Sequence, residues 1–163
     1  MCIRDSDYTK PSGVNPNLTT NDIIKGALPY LEANYTVTKS SKDRAIAGLS
    51  RGAAQTMTIV RAHPGQFAHV GVFSFARSRI GPFRKEMEAM NDADWKLFGD
   101  MMSKHKYFYW TVGTEDGGTP DSKAVWELYK KRNVDIIAET RPGNHDWLVW
   151  RAALRDFAQK IFQ

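Results

Sequence analysis

The stretch AIAGLSRGAAQT, Ala45 to Thr56, sets a serine between two glycines at the spacing G-x-S-x-G, directly after a short apolar run. That spelling restricts the backbone to a strand, a tight turn and a helix. A serine held out at such a turn is conformationally strained, and side chains at Gly48 and Gly52 are expected to collide with neighbouring backbone. Arg44 to Ala47 reads as the end of a buried strand, and Gly52 to Val60 as a helix running on to His63-Pro64. Ser50 is therefore a candidate nucleophile. A hydroxyl is inert at neutral pH unless a base takes its proton and an acid orients that base. An ordinary glycine-bordered turn spells the same five residues, so the partners decide.

Of the four histidines, His63 precedes Pro64 at a helix end, His69 starts a strand and His105 lies among lysines. All three read as surface or helix-terminal residues. His145 differs, because it lies in the turn-rich segment RPGNHDW, Arg141 to Trp147, between the strand Val134–Glu139 and a final helix. Loops at the carboxyl ends of parallel strands are where such sheets carry their chemistry. The acid should fall between serine and histidine, the chain order of strand-turn-helix hydrolases. The aromatic and β-branched strand YFYWTVG, Tyr107 to Gly113, runs straight into Thr114-Glu115-Asp116-Gly117-Gly118. Asp116 is the first choice by the position of its loop and Glu115 the second. Asp121, after Thr119-Pro120, instead suits the first turn of a helix, with Thr119 as its cap and proline at the first helical position.

Helices are expected at Asn21–Tyr35, Gly52–His63, Asp94–His105, Ser122–Arg132 and Trp147–Phe162, and strands at Asp43–Leu49, His69–Ser74, Tyr107–Gly113 and Val134–Glu139. Such alternation makes an α/β fold, a parallel sheet flanked by helices. Trp147, Trp150, Leu154, Phe157 and Ile161 step by three and four, so the last helix should lie on the sheet by that stripe. Trp147, nearest His145, could also line the substrate site.

With AIAGLSRGAAQT, FAHVGVFS (Phe67 to Ser74), VGTEDGG (Val112 to Gly118) and PGNHDWLVWRAALRDFAQKIF (Pro142 to Phe162), the chain resembles the putative-esterase family of α/β-hydrolases. That family holds carbohydrate esterase family 1 feruloyl and acetylxylan esterases and enterochelin-esterase-like proteins. The likeness covers Asp22 to Phe162 and implies Ser50 as nucleophile, Asp116 as orienting acid and His145 as general base, with the backbone N–H of Arg51 serving an oxyanion hole. It implies a serine ester hydrolase without a cofactor, acting on feruloyl, acetyl or siderophore-type esters, and a secreted or periplasmic location. Departures fall at Arg51, Ala53 and Phe75, where members often have Met, Gly and Gly. Phe75, with Arg77, Arg79 and Arg84, is expected to bear on the substrate.

The amino-terminal end does not match a whole enzyme of this kind. The resemblance implies that the first strands of the sheet, and with them a second oxyanion-hole donor, lie upstream of the present chain. Asn21 to Tyr35 reads as one amphipathic helix, with Ile23, Ile24, Ala27, Leu28 and Leu31 on one face and a kink at Pro29. Tyr8 to Asn17 reads as a polar loop. Met1 to Ser6, MCIRDS, resembles the translation of a sequencing adapter, so residues 1–6 are expected to be a scar and 7–163 a partial esterase domain. Cys2, the only cysteine, then falls outside the native chain, which excludes a disulfide framework or thiol mechanism.

A hydrophobic fraction of 42% and a charged fraction of 25% over 163 residues fit one globular domain or most of one. No apolar run approaches the ~18 residues of a membrane span. The net charge of +5 comes from cations scattered among acids, which argues against a nucleic-acid partner. A metal-dependent hydrolase built on His145, Asp146, Asp116 and Glu115 lacks a second histidine at ligand spacing. A noncatalytic hydrolase-like binding module would not need the three residues together.

Overall fold

The four apolar runs assemble as one parallel sheet: β1 Ala45–Ser50, β2 His69–Phe75, β3 Tyr107–Gly113 and β4 Ile137–Arg141, side by side in chain order. A computed structural model describes residues 17–161. Residues 1–6, the segment from Tyr8 to Pro16 and Phe162 lie outside them. The chain divides into two units between Lys39 and Ser40, each described by itself.

In the first unit, helix α1 Asn17–Asn21 passes into a π-helical segment, Asp22–Ala27, and then into α2 Leu28–Asn34. The run starts four residues before the expected Asn21. Pro29, in the first turn of α2, lacks an N–H and its ring would strike the carbonyl four residues back. The helix absorbs this by widening just ahead of it, Leu28 N–H donating to Ile23 O. Ile23, Ile24 and Leu28 are half-buried, whereas Ala27 and Leu31 are exposed.

In the second unit, α3 Arg51–Ala62, α4 Arg77–Ala89, α5 Asp92–Met102, α6 Thr119–Lys131 and α7 Trp147–Ala158 connect or follow the strands. Consecutive parallel strands lie next to one another, so crossovers of one hand put α3 to α6 on a single face. Val70, Val72, Phe108 and Trp110 point that way, into a core with Met57, Ile80, Met87, Trp95 and Tyr129. The alternate residues Phe73 and Tyr109 meet Ala153 and Phe157 of α7 on the other face.

Several boundaries differ from expectation. β1 begins at Ala45, because Ser41–Asp43 closes a short 3-10 turn. The segment after β2, where no helix is expected, is the helix α4: Ile80, Phe83 and Met87 are buried at helical spacing, and this burial carries the helix through Gly81-Pro82. At α6 the cap is Gly118, while Thr119 donates its hydroxyl to Gly113 O at 2.5 Å instead of capping. β4 sits three residues later than expected. Val134 N–H is taken by Tyr129 O, and pairing with β3 starts at Ile137 opposite Tyr109. In α7 the buried stripe is Val149, Ala153 and Phe157, with Trp150 half-buried, while Trp147 and Leu154 are exposed at 62% and 53%. Among the described residues no helix is long and apolar enough to cross a membrane.

Candidate active site

Ser50 ends β1 with φ 53° and ψ −116°, and α3 starts at the next residue. This left-handed backbone is costly for a residue with a Cβ and aims the side chain out of the sheet's carboxyl end. Gly48 makes the turn sterically feasible, since a Cβ there would overlap the Gly52 carbonyl and come within 2.7 Å of Thr56 Oγ1. Gly52 is not needed for that reason: a Cβ on it meets nothing within 4 Å. On the neighbouring strand the register slips, so that Leu49 faces Phe73 and Ser50 faces Phe75. The bulged residue, Ser74, has φ 46°, and Ala76 N–H then bonds Ser50 O at 3.1 Å.

Three side chains distant in sequence meet at this end. His145 Nε2 lies 2.8 Å from Ser50 Oγ, and its Nδ1 lies 2.7 Å from Asp116 Oδ2. With the ring proton on Nδ1, Ser50 donates to His145 and His145 to Asp116. The Asp116 carboxylate is 1% exposed, and its other oxygen accepts Gly118 N–H at 2.9 Å. Burial strengthens these bonds and fixes the acid's orientation. Glu115, its neighbour on the same turn, points to solvent and joins only by its backbone, donating N–H to Gly143 O. Asp146 serves α7, accepting from Leu148 and Val149 N–H at 2.9 and 3.1 Å. The Val149 bond above all, joined by those from Asn144 and Leu148, holds its carboxyl below the usual range against desolvation.

The other histidines lie elsewhere. His63 closes α3, His69 begins β2, and His105 precedes β3 with Nδ1 on Phe67 O at 2.8 Å. His69 is not a surface residue, being 2% exposed, and burial first, then the charge of Lys106, lowers its pKa. Burial lowers that of His105 likewise. Among the described residues, no three His, Cys, Asp or Glu side chains are placed to hold a metal ion.

Arg51 is the first residue of α3, directly after the Ser50 elbow. Phe75 corrects an expectation: it is 3% exposed and stacked on Trp110 at 5.5 Å, a core residue and not part of a substrate surface. Trp147 lines a mostly apolar groove of about 150 Å³ with Ala47, Leu49, Phe73, Trp150 and Leu154. Arg84 is occupied by Asp121 at 3.1 Å and Glu88 at 3.5 Å, whereas the Arg77 side chain lies along Gly117. Sequence reasoning treated Trp150 only as packing, yet its ring meets the His145 ring edge-to-face at 5.0 Å and 88°, and the Trp147 ring packs edge-on to it at 5.3 Å. The signal was its place one helical turn after Trp147, at the mouth of the histidine loop.

A parallel sheet with a strained serine elbow, and an acid and a histidine on successive carboxyl-end loops, defines an α/β-hydrolase. The chain belongs to the family described as "Esterase: Putative esterase", whose model matches residues 4–161. Its fold is similar to that of a ferulic acid esterase at 21% identity and TM-score 0.71, over 83% of this chain and 57% of that one. It is also similar to S-formylglutathione hydrolase from Staphylococcus aureus, at 20% identity and TM-score 0.66 over 88% and 63%. A family 1 ferulic acid esterase from Anaeromyces mucronatus matches at 20% and 0.64 over 88% and 53%. The chain thus spans less than two thirds of the length of each of these proteins.

Proposed function

We propose that this chain carries the catalytic residues of a serine carboxylic-ester hydrolase. The observation that carries the reading is the continuous relay from Ser50 Oγ through His145 to buried Asp116, with both links under 3 Å. His145 Nε2 takes the Ser50 proton as Oγ attacks the ester carbonyl carbon. The oxyanion so formed lies toward the Arg51 N–H. Collapse breaks the bond to the alcohol, which leaves with the proton from Nε2, and acyl-Ser50 remains. Water, losing a proton to Nε2, attacks the acyl carbon; the acid departs and Ser50 regains its proton. Asp116 accepts Nδ1–H throughout and offsets the imidazolium charge without becoming protonated.

Family membership and the two ferulic acid esterases among the similar folds favour hydroxycinnamoyl or acetyl esters of plant polysaccharides as substrates. Fluorophosphonate labelling tests the mechanism, because only an activated serine reacts. Labelling that maps to Ser50 and disappears in His145→Ala is the expected result. An unlabelled, folded chain would favour a noncatalytic binding module. A panel of feruloyl, acetyl-xylan, siderophore-lactone and p-nitrophenyl esters tests the substrate, with feruloyl or acetyl-xylan turned over fastest.

A further inference from the structure

The imidazole of His145 is poorly held by its own loop. Its side chain is 33% exposed, and Gly143, two residues before it, has φ 125°. What borders the loop is held more firmly. Arg141, the last residue of β4, has a side chain only 14% exposed. Its Nη2 donates to Tyr109 Oη at 2.7 Å, Glu139 Oε1 at 2.8 Å and Asp156 Oδ2 at 2.8 Å, and its Nε to Thr111 Oγ1 at 3.3 Å. One guanidinium thereby ties β3 and β4 to α7, the two ends between which the histidine loop is strung.

The main chain of the same residue reaches the acid. Arg141 O accepts Thr114 N–H at 2.8 Å, and Gly143 O accepts Glu115 N–H at 2.9 Å. Gly113 lets the two loops close, since a Cβ there would overlap the Gly143 carbonyl and lie 2.6 Å from that of Asn144. Asp116 and His145 are thus carried on two turns zipped together, with Arg141 at the base of the zip.

We propose that Arg141 is a positioning residue for His145, its guanidinium setting α7 against β4 so that the imidazole spans Ser50 and Asp116. The inference rests on reading those three residues as a catalytic relay. Without the cation, Glu139 loses its cationic partner and Asp156 keeps only Arg155, so the seat of α7 against β4 loosens, and with it the histidine loop strung between them. Hydrogen bonds from Arg141, then Arg155, hold the Asp156 carboxyl below its usual range, in keeping with a close pairing. A misplacement of about 1 Å is enough to cost on the order of a hundredfold in rate.

The test uses the full chain, with a fluorophosphonate as probe, well below each variant's melting temperature. The rate constant for Ser50 labelling and the downfield proton resonance of the His145–Asp116 hydrogen bond are followed in Arg141→Met, Arg141→Lys and Asp156→Asn. Arg141→Met is expected to slow labelling on the order of ten- to a hundredfold and to broaden the resonance. Lysine, keeping the charge but reaching fewer partners, should restore part of the rate. Asp156→Asn, which removes only the α7 anchor, should slow labelling several-fold, and it carries the test if Arg141→Met fails to fold. Folded variants that label at the parent rate with the resonance intact would overturn the proposal and leave Arg141 a stabilising residue only. A parent chain that does not label at all defeats the catalytic reading, and this one with it.

Discussion

Ser50 and His145 are 95 positions apart and in hydrogen-bond contact, so in the proposed relay neither acts without the other. Ser50→Ala and His145→Ala should each reduce ester turnover by about 10⁴-fold or more, and the double variant should be hardly worse than either, because residues acting as a unit are not additive. Roughly multiplicative losses in steady-state assays would show that they do not share a step. Asp116→Asn should damage turnover far more than Glu115→Gln, and the reverse ranking would move the orienting role to Glu115. The sequence named serine and histidine from their turns but could rank the acids only by loop position. What favours Asp116 is a bond the sequence does not spell, Gly118 N–H to Asp116 Oδ1, which turns that carboxylate inward. Trp150 escaped for the same reason, since helical spacing says which residues share a face and not which ring touches a histidine. Tyr109 gives a residue-scale pH effect. Burial, then its bond to Glu139, pushes its phenol up to about 12. An unfolded tyrosine ionises near 10, so the folded chain keeps a proton the unfolded one loses, and stability should fall as pH rises from about 10 through about 12. Urea midpoints across that range should fall less steeply in Tyr109→Phe, with Tyr107 and Tyr129, also raised by burial, supplying the remaining slope.

Elements were readable where pattern and packing agree. β2 and β3 emerge nearly as expected because each is buried on both faces and needs continuous apolar residues. α4 was missed because Gly81, Pro82 and the surrounding cations argue for a loop, whereas three buried side chains on one stripe decide for a helix. β4 slid because it is largely exposed, so its composition carries little about where pairing begins. The elbow between β1 and α3 separates two glycines that look equivalent in the sequence. Gly48→Ala forces a Cβ into the Gly52 backbone and should abolish Ser50 labelling while lowering the melting temperature. Gly52→Ala has open space, lies in the first turn of α3, and should stabilise by about 0.5–1 kcal/mol because alanine orders more cheaply in a helix. Thermal melts of the two variants check both; equal destabilisation would mean that the turn, and not one close approach, demands glycine.

At the scale of the whole molecule, the sheet is covered unequally. Within the second unit, four helices shield one face, and among its described residues α7 is the helix on the other. The parallel architecture followed from alternating strands and helices, but this imbalance did not, because it depends on strand order and on where the last helix crosses over. β1 is bordered by β2 on one side, and among the described residues no strand borders the other, so the strand bearing Ser50 presents free backbone groups. Beside it, Trp147 and Leu154 are exposed at 62 and 53%, around the groove over Ala47 and Leu49. An open edge next to an apolar groove favours association between copies. Expressed alone, the chain should therefore elute from a sizing column as oligomer or aggregate and bind a hydrophobic dye strongly. Leu154→Lys should reduce both signals by charging the groove's rim. A monomeric, cooperatively melting chain that leaves the dye dark would overturn the association prediction.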